Sequence, residues 1–261
     1  MQKEVLIIIP AYNKEKNISK VLDRLEQPEI AEFADILVMN DASSDNTNWI
    51  VKARHHAVVT HVFNLGYGSA LQLGYKYAIR CNYRYVIQMD ADGQHDAGNL
   101  INLYRALKTP DENGVYPDIV LGSRYLNDSP YFETSALKRF AFFLFRHIIK
   151  WSTGRTIMDP TTGLQGLNRR AALCYSKFGN FDEKYPDANM ITNMLLSDFN
   201  IVEIPAVMHL REYGKSMHSG LKPIGYMFHM FFSILAVLIR QKIFKNVPKA
   251  ERYNNDIQKT Q

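Results

Sequence analysis

Two aspartates separated by one residue, Asp90 and Asp92, are the side chains of this 261-residue sequence best suited to chemistry. In extended backbone, residues two apart project to the same side, about 6.5 Å apart along the chain. Their carboxylates can therefore hold one hard divalent cation, Mg²⁺ or Mn²⁺, which prefers oxygen ligands. Gln94 and His95 follow and can add a ligand or support one. An Asp-rich turn that only ends a strand is the alternative interpretation.

The predicted strand directly before Asp90 favours a catalytic role for Asp90 and Asp92. Short apolar runs predict buried strands that alternate with helices, which indicates an α/β fold with a mostly parallel central sheet flanked by helices. Ligands bind such sheets beyond the carboxyl ends of the strands, where the strand order reverses. Asp41 and Asp90 each follow a predicted strand directly. The strands are predicted at 5–9, 36–39, 58–62, 85–89, 118–122 and 201–205, and helices around 18–25, 70–78 and 140–145.

Asp41 has two interpretations that the residues alone leave open. Its carboxylate can accept the imide N–H of a uracil or an amide N–H of a guanine. It can equally cap the next helix, together with the hydroxyl and carboxylate side chains that follow it.

Composition limits the classes of partner. The excess of 31 Lys and Arg over 26 Asp and Glu gives a net charge of +5, which favours phosphates or anionic membrane surfaces. We expect no nucleic-acid partner, because the sequence has no zinc-finger spacing and no RNA-binding motif. Two isolated cysteines, Cys81 and Cys174, fit a reducing compartment, and the first residues lack the order of a signal peptide.

The C-terminal part carries an apolar segment, 224–239, which is interrupted by His229 and Ser233. Its 16 residues fall short of the roughly 17 that a membrane-spanning helix needs. Basic residues flank it, so we favour a helix at a membrane interface or in a protein contact, with a buried core helix as the alternative. We expect a catalytic domain over 1–220, an apolar or amphipathic helical extension over 221–247 and a polar, frayed tail over 248–261.

Several ordered motifs resemble the family 2 glycosyltransferases, which have a GT-A fold. The likeness covers roughly residues 4 to 220. Three of them, 118–124, 159–163 and 211–216, are similar to the branch of dolichyl-phosphate and polyprenyl-phosphate sugar synthases. The segments are Ile-Pro-Ala-Tyr-Asn at 9–13, 38–47 around Asn-Asp-Ala-Ser, 88–95 around Asp-Ala-Asp, 64–70, 118–124, 159–163 and 211–216.

The resemblance implies a role for each matched residue. Pro10, Ala11, Tyr12, Asp41 and Gly68 would line the nucleotide. Asp90 would approach the sugar or the ribose, while Asp92 and Gln94 would hold Mn²⁺ or Mg²⁺. Arg124 would face an acceptor phosphate, and Arg211 and Lys215 would close over the diphosphate on a mobile loop.

The sequence departs from the family pattern at two positions. Lys14 stands where the family has Glu, with Glu15 next, and Asn189 stands where the branch carries Glu. Asp187 is the carboxylate close to the second position, where an acid serves as general base in relatives that glycosylate a hydroxyl. Asp159 either lies near the reaction centre or only opens the Asp-Pro turn.

We therefore expect an inverting enzyme that moves a sugar from a nucleotide-sugar, UDP favoured over GDP, to a polyprenyl phosphate. Extension of a lipid-linked or protein-linked glycan is the alternative reaction, and an inactive nucleotide-sugar-binding or scaffold protein is the alternative class. The expected location is cytoplasmic, peripheral to the inner face of a membrane. A small membrane subunit and a second copy of the chain stay open as partners.

Overall fold

The computed structural model describes residues 2–126, 136–209, 222–243 and 249–258. The strands are β1 Val5–Ala11, β2 Ala34–Asn40, β3 Ala57–Thr60, β4 Tyr85–Gln88, β5 Ile119–Ser123, β6 Gln165–Asn168 and β7 Ile201–Pro205. The helices are α1 Glu15–Leu25, α2 Pro28–Ala31, α3 Thr47–Ala53, α4 Tyr67–Arg80, α5 Ala97–Leu107, α6 Ala136–Thr153, α7 Arg169–Ser176, α8 Ala188–Leu196, α9 Lys222–Ile243 and α10 Ala250–Gln258.

These strands form one seven-stranded sheet in the order β3-β2-β1-β4-β6-β5-β7. Strand β6 pairs antiparallel with β4 and β5, while the other pairs are parallel, which confirms the predicted α/β class and the mostly parallel sheet. Strands β2 and β3 lie on one side of β1, whereas β4, the next strand along the chain, lies on its other side. The strand order therefore reverses between β1 and β4, directly beside Asp90.

Alternate residues of β1 supply two separate cores, one on each face of the sheet. Leu6 and Ile8 belong to the core that includes α4 and α7, and Ile7 to the core beneath α1 and α5. Burial on both faces explains the continuous apolar run of this strand. A side chain at Gly74 of α4 would begin 2.6 Å from Ile8 Cγ2, so the missing side chain lets α4 lie close on the sheet.

The helix of the apolar segment, α9, is longer than the predicted segment 224–239. Helix α9 has 22 residues, and its stretch Gly225–Ile243 is long and apolar enough to cross a membrane by length and composition alone. Only 17% of the residues in that window are buried, which disfavours the buried core helix. The predicted frayed tail is wrong in part, because α10 packs on α7 with Ala250 and Tyr253 buried.

One buried carboxylate, Asp118, joins three parts of the sheet edge. It accepts hydrogen bonds from Arg170 Nε at 2.8 Å, from Asn168 Nδ2 at 2.7 Å and from the backbone N–H of Asn200 at 2.8 Å. The residue is 1% exposed. It therefore holds β5, the β6–α7 junction and the start of β7 in register.

We predict that Asp118→Ala lowers the free energy of unfolding by about 3–5 kcal/mol, because the change leaves Arg170 without its buried partner. Urea denaturation measures the loss. Asp23→Ala is the matched control: its carboxylate is 59% exposed beside Arg54, so its removal should cost less than about 1 kcal/mol. Equal losses in the two variants would contradict this role for Asp118.

Candidate active site

The acidic pair lies where the strand order reverses. Asp90 follows β4, and its Oδ1 accepts the Tyr67 hydroxyl proton at 2.9 Å. Asp92 is 8% exposed, and its Oδ1 accepts from the backbone N–H of Gln94 at 3.1 Å. Burial and the neighbouring Asp92 carboxylate raise the pKa of Asp90. The two negative charges repel each other, which favours a bound cation.

The donor set fits a hard cation that also binds substrate oxygens. Within the described ranges, no group of three or more His, Cys, Asp and Glu side chains is arranged to hold a metal ion. Mg²⁺ is commonly held by one or two carboxylates plus substrate phosphates, which suits a site with two. Gln94 Nε2 donates to the His209 carbonyl at 3.1 Å, and the role of Gln94 as a metal ligand stays a prediction.

The ends of β1 and β2 form the predicted nucleotide side of the site. Ala11 is buried, Tyr12 is 48% exposed, and the Asp41 N–H donates to the Ala11 carbonyl at 2.9 Å. The Asp41 carboxylate contacts His61 Nδ1 at 2.7 Å and accepts from the backbone N–H groups of Leu65 and Gly66, both at 2.9 Å. Asp41 thus holds the loop that leads into α4.

The helix-capping interpretation of Asp41 is wrong, because its carboxylate contacts His61 and the loop before α4. The side chain bonded to the start of α3 is that of Asp45. Asp45 Oδ1 accepts from the Thr47 N–H at 3.0 Å at the start of α3. Glu15, next to the divergent Lys14, is also used there: its Oε2 accepts from the Asn46 N–H at 3.2 Å. The acid next to the departure from the family pattern therefore ties α1 to α3.

Arg124 and Asp159, 35 residues apart in the chain, form a two-pronged ion pair. Arg124 donates from Nε to Asp159 Oδ2 and from a terminal nitrogen to Oδ1, each at 2.7 Å. Asp159 is fully buried, and its N–H donates to Glu203 Oε1 at 2.8 Å. The pair fixes the plane of the guanidinium at the end of β5. Asp159 therefore does more than open the Asp-Pro turn.

Asp187 lies against α9. The Tyr226 hydroxyl donates to Asp187 Oδ2 at 2.7 Å, and burial raises the pKa of Asp187 to about 7. Asn189, at the position where the branch carries Glu, donates from Nδ2 to Asp182 Oδ2 at 2.7 Å and to Ser233 Oγ at 2.8 Å. Ser233 Oγ also donates to Asp182 Oδ2 at 3.4 Å, so both ends of the segment 182–189 contact α9.

Gly68 owes its position to the same segment. A Cβ at Gly68 would begin 2.1 Å from the Asp182 carbonyl oxygen, and the Ser69 N–H donates to the Glu183 carbonyl at 3.2 Å. The start of α4 and the segment 182–187 can pack this closely only without that side chain. The contact explains the glycine structurally, and its role in nucleotide binding stays a prediction.

Three contributors to the site were not identified from the sequence. Tyr67 lies in the family's loop motif and Gly163 in the Asp-Pro motif, so both were within reach of motif comparison. Tyr226 lies in an apolar helix and carries no such signal. Arg211 and Lys215 lie outside the described residues, as does most of the loop that carries them.

We predict that Gly163→Ala weakens Mn²⁺ binding tenfold or more, roughly as for loss of a residue that orients a ligand. A Cβ at Gly163 would begin 2.6 Å from Asp90 Oδ2 and would displace that carboxylate. Calorimetric titration measures the affinity. Gly225→Ala on α9 is the control, since a Cβ there meets nothing within 4 Å. Unchanged affinity in Gly163→Ala would show that the position of Asp90 is unimportant for the cation.

Comparison with known proteins agrees with this geometry. The protein is 23% identical over 250 residues to a UDP-N-acetylglucosamine–dolichyl-phosphate N-acetylglucosaminyltransferase of Methanococcus voltae, covering 89% of this chain and 95% of the relative. It is 26% identical to an undecaprenyl-phosphate mannosyltransferase of Micrococcus luteus, with coverages of 83% and 88%. Its fold matches a glucosyl-3-phosphoglycerate synthase from Mycobacterium tuberculosis solved with Mn²⁺, UDP-glucose and phosphoglyceric acid, at a TM-score of 0.65 and 18% identity over 90% of this chain and 80% of that one.

The predicted GT-A-type fold and family are both confirmed. The model of the family described as glycosyl transferase family 2 matches residues 6–175, which hold the acidic pair, the nucleotide side and the Arg124–Asp159 pair. This chain therefore belongs to glycosyl transferase family 2.

Proposed function

We propose that the protein transfers a sugar from a UDP-sugar to a polyprenyl phosphate, with inversion, at the cytoplasmic surface of a membrane. The observation that carries the proposal is the 2.7 Å hydrogen bond between Tyr226 and Asp187. It attaches a helix with an exposed apolar face to the site that contains the acidic pair. A lipid acceptor keeps its tail at the membrane, so its phosphate reaches the site most directly if a helix that contacts the membrane lies beside it.

The donor half of the proposal assigns the nucleotide to Pro10, Ala11, Tyr12, Asp41 and Gly68. Asp92 and Gln94 would hold Mn²⁺ or Mg²⁺. Asp90 would contact the sugar or ribose, and its negative charge beside Asp92 would strengthen the binding of the cation. When bound, the cation offsets the negative charge that the nucleoside diphosphate gains as it leaves. The relative named for UDP-N-acetylglucosamine and the fold relative solved with Mn²⁺ and UDP-glucose support UDP and a divalent cation.

The acceptor half needs no general base. The second pKa of a phosphate monoester is about 6, so the nucleophilic oxygen is largely ionised at neutral pH. It attacks the anomeric carbon from the face opposite the diphosphate; the new C–O bond forms as the old one breaks, and the configuration inverts. Arg124, oriented by Asp159, would bind the acceptor phosphate, while Arg211 and Lys215 would close over the diphosphate. The relatives named for dolichyl and undecaprenyl phosphate support this acceptor class.

The two faces of α9 support a location at the membrane surface. Met230 and Ile234 are buried against the domain, whereas Phe228 and Phe232 are 63% and 60% exposed. A helix with one packed and one exposed apolar face fits an interface better than a span. Helix α6, which packs on α9, adds Trp151, 82% exposed. A small membrane subunit or a second copy of the chain would be the alternative cover for this surface.

The direct test is product analysis. The protein is incubated with Mn²⁺, a panel of α-linked UDP-sugars and GDP-sugars, and vesicles that contain a polyprenyl phosphate. We expect a glycosylated lipid phosphate from one or more UDP-sugars, with a β-linkage by NMR coupling constants. A retained α-linkage, or transfer only from GDP-sugars, would overturn the corresponding part of the proposal.

A second reaction has one observation in its favour. Extension of a glycan requires a base that removes a hydroxyl proton, and the pKa of Asp187, raised by burial to about 7, suits that task at neutral pH. Asn189 cannot act as that base, so the carboxylate of Asp187 would be the one to do so.

Asp187→Asn separates the two reactions. With a phosphate acceptor we predict that turnover stays within about tenfold of wild type, because the nucleophile is already ionised. With a hydroxyl acceptor, turnover would fall by 10² or more, and the wild-type rate would rise with pH through about 7. The measurement is steady-state turnover between pH 5.5 and 8.5, with UDP affinity as the control for an intact donor site.

Replacing Phe228 and Phe232 with Glu should reduce vesicle binding several-fold while the fold is retained, because both side chains are exposed. Flotation with anionic vesicles measures the bound fraction. Deletion of α9 is unsuitable, since it would expose the core around Met230 and Ile234. Trp49→Ser on α3, 70% exposed, is the control for general loss of an aromatic surface residue. Unchanged flotation of the double variant would exclude this face as the membrane contact.

A further inference from the structure

A short turn after α7, residues 177–180, carries a phenylalanine that is left almost wholly in solvent. Phe178 is 89% exposed, more than any other large apolar side chain of the described ranges. Gly179 follows it with a φ of 74°, a left-handed conformation that glycine adopts readily. The Asn180 N–H closes the turn by donating to the Lys177 carbonyl at 3.2 Å. The turn therefore projects the Phe178 ring away from the domain.

Helices α4 and α10 hold this turn in place. Gln72 Nε2 of α4 donates to the Lys177 carbonyl at 3.0 Å, and Asn180 Nδ2 donates to the Tyr253 hydroxyl of α10 at 2.9 Å. Tyr253 is buried, so the turn is fixed to the core of the domain. A fixed turn loses little conformational entropy when its exposed ring binds a partner, which makes it a suitable anchor.

Helix α9 is attached to the domain near both of its ends, and the second attachment is to this turn. Near the start, the Tyr226 hydroxyl donates to Asp187. Near the end, a terminal nitrogen of Arg240 donates to the Gly179 carbonyl at 3.2 Å. At the rise of an α-helix, about 1.5 Å per residue, Tyr226 and Arg240 lie about 21 Å apart. Because one folded domain holds both ends, α9 lies along the domain surface and does not cross a bilayer.

The surroundings of Phe178 are apolar and basic. Ile239 and Ile243, at the end of the exposed face of α9, are 48% and 66% exposed. The exposed basic side chains of the turn and of this end of α9 are Lys177, Arg240 and Lys242. Glu183, the nearest exposed acid along the chain, is followed by the exposed Lys184. Exposed apolar side chains beside several cations fit an anionic bilayer, because the apolar groups enter the headgroup boundary while the cations attract the lipid phosphates.

We infer that Phe178 inserts into the headgroup boundary of an anionic membrane and, together with α9, holds the enzyme with that helix parallel to the membrane surface. The inference rests on the proposed function, because it assumes that the protein works at a membrane. The turn lies at the end of α9 that is remote from Asp187, so it adds a contact about 21 Å from the site. Two separated contacts fix the tilt of the domain, which one contact would leave free.

The first test is flotation with vesicles of phosphatidylcholine and phosphatidylglycerol. We expect Phe178→Ser to lower the partition coefficient roughly fivefold, since part of one aromatic ring no longer leaves water. The urea midpoint should stay at the wild-type value, because the ring lies outside the core. Trp49→Ser is the matched control: Trp49 is 70% exposed on α3, which packs on the opposite face of the sheet, and its loss should not change flotation.

The second measurement locates the ring. The chain has two tryptophans, Trp49 and Trp151, and both are replaced with phenylalanine so that Phe178→Trp supplies a single fluorescent reporter. We expect vesicles with brominated acyl chains to quench its fluorescence. A ring covered by a second copy of the chain or by a membrane subunit would not be quenched.

The outcomes separate this inference from the proposed function. Vesicle binding by the wild type with equal binding by Phe178→Ser, or with no quenching of Phe178→Trp, would overturn the inference alone. Failure of the folded wild-type protein to bind vesicles would overturn the membrane location in the proposed function, and this inference with it.

Discussion

Repulsion between the carboxylates of half-buried Asp90 and buried Asp92 is the constraint on which the rest of the site depends. Strand β4 brings both to the carboxyl edge of the sheet, where burial and mutual proximity raise the pKa of Asp90. The loop that follows is fixed from outside: Arg24 donates to the carbonyls of Gly93 and His95 at 2.6 and 3.2 Å. The acidic pair is therefore held in place before any cation arrives, which lowers the cost of forming the site.

Contacts lead from this pair to both substrate halves. Tyr67, at the start of α4, donates to Asp90, while the preceding Gly66 donates its N–H to Asp41. Gly68 allows the segment that ends at Asp187 to pack against the same helix start. Asp187 in turn accepts from Tyr226 of α9. The start of α4 thus contacts both Asp90 and Asp41. Through the segment 182–187 it is also connected to α9.

The sequence was informative where local pattern decides the structure. The apolar runs before Asp41 and Asp90 predicted β2 and β4, because a strand buried on both faces needs continuous apolar residues. Strand β6, with the residues Gln-Gly-Leu-Asn, has no such pattern and forms because β4 and β5 pair with it on both sides. Helix α10 was missed because its sequence is mostly polar, and among its residues 250–254, whose exposure is described, Ala250 and Tyr253 are the buried ones.

Within the site, residue types were predictable and pairings were not. Arg124 and Asp159 were each singled out, yet their ion pair joins β5 to a turn 35 residues later, a distance that only the tertiary fold sets. Asp41 was predicted to contact a base or to cap a helix, and no local signal indicated that loop amides and His61 would occupy its oxygens.

The central claim is that the acidic pair holds a cation against the diphosphate of the donor. The most direct measurement is the affinity for UDP by calorimetry with Mn²⁺ and with EDTA, in wild type and in Asp92→Asn. Linkage requires that each ligand strengthen the binding of the other by the same factor. We expect Mn²⁺ to strengthen UDP binding at least about tenfold in wild type and to have little effect in Asp92→Asn. Equal UDP affinity with Mn²⁺ and with EDTA in the wild-type protein would contradict the account.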